Sequence, residues 1–155
     1  MLISTPSFGA RARRVLAEQR PVISNTTPLI SLDSVGLVDL LPRLYGAVVI
    51  AEAVLLEFEV KAHQADPNLR AAAWLRVVPI AVPSELAALL DIGEAATIAL
   101  AEQMHASLVL LDQRRGRRIA NTRGLPVIGT GAVLIEAKQL GLISAVAPVL
   151  DAIIR

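Results

Sequence analysis

The sequence predicts an α/β fold, a parallel sheet with helices on both faces, and three observations predict it. Short apolar, β-branched runs alternate with helix-length segments, the pattern of parallel strands joined by right-handed crossovers. The 155 residues are one domain's worth, long enough to cover both faces of such a sheet. Apolar residues make up 54% of the chain, which excludes intrinsic disorder and calls for extensive burial.

The elements follow in chain order. "PVIS" (21–24) is a short buried strand running into a polar turn. There Thr27 is a good helix N-cap and Pro28 suits the first helical position. Helical patterns cover 28–34 and 37–43, and "YGAVVIA" (45–51) is the next strand. "EAVLLEFEVKAHQ" is a helix with Val54, Leu55 and Phe58 on its apolar side, and a further helix ends near Trp74. "RVVPI" (76–80) is an extended piece limited by its proline, which suits a sheet edge. "GEAATIALAEQMHA" is apolar nearly all round, so it belongs in the interior. "SLVLLD" (107–112) is the clearest buried strand, and "QRRGRRIANTRG" is the helix after it, stopped by Gly124. "LPVIG" (125–129), a helix over 131–140 closed by Gly141, and a last helix near 145–154 complete the chain. Periodic burial starts at Pro21, so residues 1–20 read as an N-terminal appendage and 21–155 as one domain.

Composition narrows the function classes. Without cysteine there are no disulfides and no thiolate metal sites. The longest uncharged stretches, 21–32, 124–135 and 139–150, are far too short for a bilayer, so no membrane association is expected. "MLISTPSFGARARR" lacks the apolar core of a signal peptide, and a cytoplasmic protein is the expectation. Net charge is only +1, but arginine is bunched at Arg11, Arg13 and Arg14 and again at Arg114, Arg115, Arg117 and Arg118. Such clusters contact phosphates, or simply line a solvated helix face. His63 and His105 stand alone on predicted helices and read as surface or packing residues.

In open parallel sheets, ligands gather outside the carboxyl ends of the strands. The polar residues at such places are Asn25 after the first strand, Asp112 closing "LVLLD", and Thr130 after "PVIG". Glu94 opens the small-residue helix, and Glu57 lies about one turn into the helix that leaves the second strand. Each has a structural explanation. Asn25 can form an Asx-turn, Asp112 can cap the 114–123 helix, Glu94 can complement a helix dipole, and Glu57 can be ordinary surface. Together they mean more: carboxylates crowded in a crevice resist ionisation unless a cation neutralises them, and Mg²⁺ is the usual hard ion for oxygen ligands.

Five stretches in order carry a family resemblance: "VISNTTPLISL", "LYGAVVIAEAVLLEF", "DIGEAATIALA", "LVLLDQRRGRRIA" and "GLPVIGTGAVLIEAKQLGLI". Over residues 21–145 the chain resembles the PIN domains, the metal-dependent nuclease fold of VapC-type toxins, and within them a compact prokaryotic branch. The resemblance implies a three-layer α/β/α sandwich with a mainly parallel sheet and an acidic pocket for Mg²⁺ or Mn²⁺. It places metal contacts on Asn25, Glu94, Asp112 and Thr130, and catalytic roles on Glu57, Glu94 and Asp112. It also implies nucleic-acid contacts from the arginines of 114–118. Two positions depart from the pattern: Asn25 stands in place of an acid, and Gln113 where relatives often carry a second one.

The implied function is a metal-dependent ribonuclease, the toxin of a toxin–antitoxin pair, with RNA as substrate and an antitoxin protein as partner. The alternative is a PIN-like module that binds nucleic acid or protein and no longer cuts, which Asn25 and Gln113 favour. A nucleotide-binding Rossmann-like protein lacks support, because no glycine-rich loop follows the first strand. The tail "LISAVAPVLDAII" is either a homodimer contact or the last core helix.

Overall fold

The computed structural model describes residues 20–62 and 69–155. Arg11, Arg13, Arg14, His63 and the expected appendage, all but its last residue, lie outside them. The described residues form five strands: β1 (Val22–Ser24), β2 (Val48–Ala51), β3 (Leu75–Val78), β4 (Leu108–Leu110) and β5 (Val127–Ile128). Every pairing is parallel, and the sheet order is β3-β2-β1-β4-β5. The strand with the proline just beyond it, β3, lies at an edge, as a residue without a donor requires.

The α-helices among the described residues are α1 (Thr26–Ser34), α2 (Leu40–Tyr45), α3 (Glu52–Lys61), α4 (Ser84–Leu89), α5 (Ile92–Gln103), α6 (Arg114–Thr122), α7 (Thr130–Gln139) and α8 (Ala147–Ile154). The result is a three-layer α/β/α sandwich. Helix α1 touches α7 and α8, and α2 touches α7, while α5 holds α4 and α6 together. Helix α3 touches both α1 and α5, which matters for the site below.

Burial follows the apolar pattern. Val22, Ile23, Val48, Ile50, Val109 and Leu110 are fully buried in the middle strands, as expected of strands covered on both faces. Each such side chain contributes about 1.5–3 kcal/mol by leaving water. Residues Gly93 to Ala101 of α5 are all buried, which explains a helix without a polar face. No described helix is long and apolar enough to cross a membrane. In the tail, α8 packs Val149, Leu150 and Ile153 against the core and leaves Ile154 exposed.

Several boundaries differ from the sequence reading. Helix α1 starts at Thr26 with Asn25 in the N-cap position, so Pro28 occupies the third helical position rather than the first. Nothing is lost, because the first four N–H groups of a helix have no partner within it. Tyr45 ends α2 instead of opening β2, since Gly46 adopts φ 81° and turns the chain. Among the described residues just before Trp74, Leu69–Ala71 form a 3₁₀ turn, and the rest of the stretch where a helix was expected lies outside the described residues. Helix α4 carries no clear periodicity in sequence and is held by packing on α5. His105 is exposed in a turn with φ 53°, just beyond α5 rather than on it.

Candidate functional site

A parallel sheet collects the carboxyl ends of its strands on one edge, and the register here decides what meets there. Ser24 pairs with Leu110, and the Asn25 N–H continues the ladder to the Leu110 carbonyl at 2.9 Å. Asn25 therefore stands beside residues 111–113. Helices run back against the strands, so α5, which leads into β4, begins at this same edge and brings Asp91 to Glu94 with it. Helix α3 leaves β2 there, and its contact with α5 delivers Glu57.

The oxygens converge on Gly93. A Cβ placed on Gly93 would lie 3.4 Å from Asn25 Oδ1 and 3.4 Å from each carboxylate oxygen of Glu57. Three oxygens from two distant parts of the chain thus surround one point, and a glycine leaves it open. Glu57 is partly shielded, with its side chain 20% exposed and Lys61 Nζ 3.7 Å away. Glu94 is buried, and its Oε1 has no hydrogen-bond partner. That oxygen presses on the first turn of α6, where a Cβ on Gly116 would come within 2.7 Å of it. Burial, then the neighbouring Asp91 carboxyl and the charge of Glu57, push the Glu94 carboxyl up to about 7.

Asp91 is the residue that sequence reasoning missed. It is the N-cap of α5, and its carboxylate accepts the Glu94 N–H at 2.8 Å. The signal was present: "DIGE" has the acid-to-Glu spacing of a capping box.

Asn25 does not cap α1 with its side chain. Its Nδ2 donates to Gln113 Oε1 at 3.3 Å, and Gln113 Nε2 donates in turn to Thr27 Oγ1 at 2.5 Å. On its other side, Asn25 Oδ1 receives the Thr97 hydroxyl at 3.2 Å, which also points to the Gly93 carbonyl at 2.8 Å. The two residues that depart from the family pattern are hydrogen-bonded to each other.

Asp112 is engaged elsewhere. It does not cap α6, whose N-cap is Gln113 without a side-chain bond. Its Oδ1 accepts the Thr130 N–H at 2.7 Å and its Oδ2 accepts the Thr130 hydroxyl at 2.6 Å, capping the start of α7. A Cβ on Gly129 would lie 2.9 Å from Asp112 Oδ1 and 3.2 Å from Arg117 Nη1, so the arginine reaches the same corner. Asp112 opens onto a cavity of about 590 Å³ lined otherwise by Arg114, Arg117, Arg118, Asn121 and Thr122. Arg115 is exposed and stands off this lining.

The structure therefore makes two neighbouring places from the predicted residues. Asn25 and Glu57 gather at Gly93, with Glu94 near enough to feel the charge of Glu57 and of Asp91; Asp112 and Thr130 border an arginine-lined cavity. First-turn residues of α6 reach both, Gly116 next to Glu94 and Arg117 lining the cavity that Asp112 borders. Among the described residues no three Asp, Glu, His or Cys side chains gather closely enough to hold a metal by themselves. Mg²⁺ does not require three: it takes one or two carboxylates and completes its shell with water and phosphate. The buried, unpartnered Glu94 Oε1 is an acceptor that needs a proton or a cation, so the residues present fit such an ion.

Among curated proteins none matches the chain. A family model described as PIN domain matches residues 21–155, which takes in every described strand and helix and all the residues of both places. PIN domains are a nuclease-type superfamily and generally depend on divalent metal. The chain belongs to the PIN-domain family.

Proposed function

We propose that this PIN domain is a Mg²⁺- or Mn²⁺-dependent endoribonuclease. The observation that carries the reading is the junction on α6: the carboxyl of Glu94 abuts Gly116, and the next residue's guanidinium shares with Asp112 the corner at Gly129 and a basic cavity. Glu57, Glu94 and the Asn25 carbonyl would hold the cation, with Asp112 and Thr130 bordering the approach. A bound ion supplies a polarised phosphate and an activated water at neutral pH. The chain's own residues do the rest. Arg114, Arg117 and Arg118 bind the phosphate backbone and orient it, giving affinity with little sequence readout. Glu57, less buried than Glu94, would take a proton from the attacking water.

The test is incubation of a mixed RNA pool with purified protein, with Mg²⁺, with Mn²⁺ and with chelator, beside Glu94→Gln and Asp112→Ala. Metal-dependent cleavage that both variants lose by at least about tenfold supports the reading, since single catalytic groups contribute about 10²–10⁴. Cleavage indifferent to chelator, or retained by Glu94→Gln, would overturn it.

A second reading has its own observations: Asn25 and Gln113 satisfy each other, and both Asp112 oxygens are held by Thr130. That arrangement suits a module that binds RNA through its arginines without cutting. RNA retained without cleavage in the same experiment is its signature. For the ribonuclease reading, membership of the PIN-domain family, the fold of VapC-type toxins, supports a place in a cytoplasmic toxin–antitoxin pair. Growth arrest on expression, relieved by a protein encoded beside it, is the corresponding assay. A homodimer is a separate proposal, and sedimentation measures it directly.

A further inference from the structure

We infer that Gln113 is a positioning residue, holding the Asn25 amide with its oxygen toward the acidic pocket so that Asn25 serves as a neutral oxygen donor to a divalent cation. The inference rests on the metal reading above and goes beyond it by naming what aims the first-strand ligand.

An asparagine amide has two faces of opposite character, an acceptor oxygen and a donor NH₂. Only the first suits a cation, and an NH₂ turned toward Glu57 would instead bind that carboxylate or repel the ion. Something must choose. Thr97 does not, because its hydroxyl can donate to an oxygen or accept from an NH₂, and its single hydrogen has the Gly93 carbonyl closer, at 2.8 Å against 3.2 Å. Gln113 does so by coupling: its Oε1 accepts from Asn25 Nδ2 while its Nε2 donates to Thr27 Oγ1. Turning the Asn25 amide alone would set oxygen against oxygen, so the two amides must turn together. A cation at the Glu57 oxygens favours the arrangement that presents Asn25 Oδ1. Asn25 is 2% exposed, so water offers its NH₂ no ready substitute for Gln113. The oxygen that results is the one gathered with Glu57 at Gly93. The pair also removes a difficulty: two acids at these places would repel without a metal, whereas two amides bond to each other with or without one.

The experiment is a cycle of Mn²⁺ affinities, by calorimetry with the metal alone, on wild type, Gln113→Met, Asn25→Asp and the double variant, with thermal midpoints to show that each is folded. Methionine keeps the length of glutamine and loses both hydrogen-bonding groups. Gln113→Met should weaken Mn²⁺ binding about tenfold, the lower end of what loss of an outer partner costs a metal site. In the Asn25→Asp background the same change should cost little, because a carboxylate presents oxygen whichever way it turns. Gln113→Glu, which still accepts from Asn25 and Thr27, should bind Mn²⁺ at least as well as wild type. An equal loss from Gln113→Met in both backgrounds, or no loss in either, overturns the positioning role while leaving the metal reading intact. Folded proteins that bind no Mn²⁺ at all overturn the metal reading and this inference together.

Discussion

Burial and the Asp91 carboxyl beside it hold Glu94 protonated up to about pH 7, against an ordinary glutamate value of 4.5. Between those values the folded protein keeps a proton that the unfolded chain has released. Stability from this group is therefore fully present below about pH 4.5 and is lost as pH rises through about 7. Glu94→Gln cannot titrate, so in chelator its thermal midpoint should fall less between pH 5 and 7.5 than that of wild type. Calorimetric scans across that range check this, and parallel curves would show that Glu94 ionises as an ordinary surface acid. Mn²⁺ should flatten the wild-type curve too, because a cation replaces the proton.

Helix α7 depends on Asp112 in a way that bears on any loss of function in its variants. With both carboxylate oxygens on Thr130, Asp112→Ala removes a helix cap as well as an acid, at a cost of about 0.5–2 kcal/mol. Thr130→Val removes only the hydroxyl donor and keeps the backbone N–H, a loss of about 0.5–1.5 kcal/mol for one hydrogen bond. Urea midpoints should therefore fall in the order wild type, Thr130→Val, Asp112→Ala. An Asp112→Ala midpoint equal to wild type would show that the cap contributes nothing to the fold.

Over the whole molecule the charges nearly cancel, so attraction for RNA has to be local. The arginine-lined cavity supplies it, and the salt dependence of binding counts the contacts. Each phosphate contact removed from a single strand should lower the slope of log K against log salt by about 0.7. Arg114→Ala, Arg117→Ala and Arg118→Ala should each do so in metal-free anisotropy titrations with a labelled RNA. Arg115→Ala, off the cavity lining, should do so less. Equal effects from all four would mean that RNA follows the exposed surface of α6 rather than the cavity.

Much of the architecture is legible in the sequence alone. The alternation of β-branched runs with helical segments, the uniformly apolar α5 and the proline after β3 are local signals, and each specifies its own environment through burial or a missing donor. The same signals placed Asn25, Glu94, Asp112 and Thr130 at strand ends and helix starts. What these side chains do there depended on distances between residues far apart in sequence, which no local pattern encodes. The register of β1 on β4 set Asn25 beside Gln113, 88 positions away. Packing of α3 on α5 brought Glu57 to Gly93. The short strand β5 turned the Thr130 N–H and hydroxyl onto Asp112, making a cap of α7 where the sequence offered a cap of the 114–123 helix. Sequence determined which groups reach the carboxyl edge of the sheet. Tertiary structure alone decided which of them face one another, because hydrogen bonds and charge interactions act over a few ångströms and register and helix packing set those ångströms.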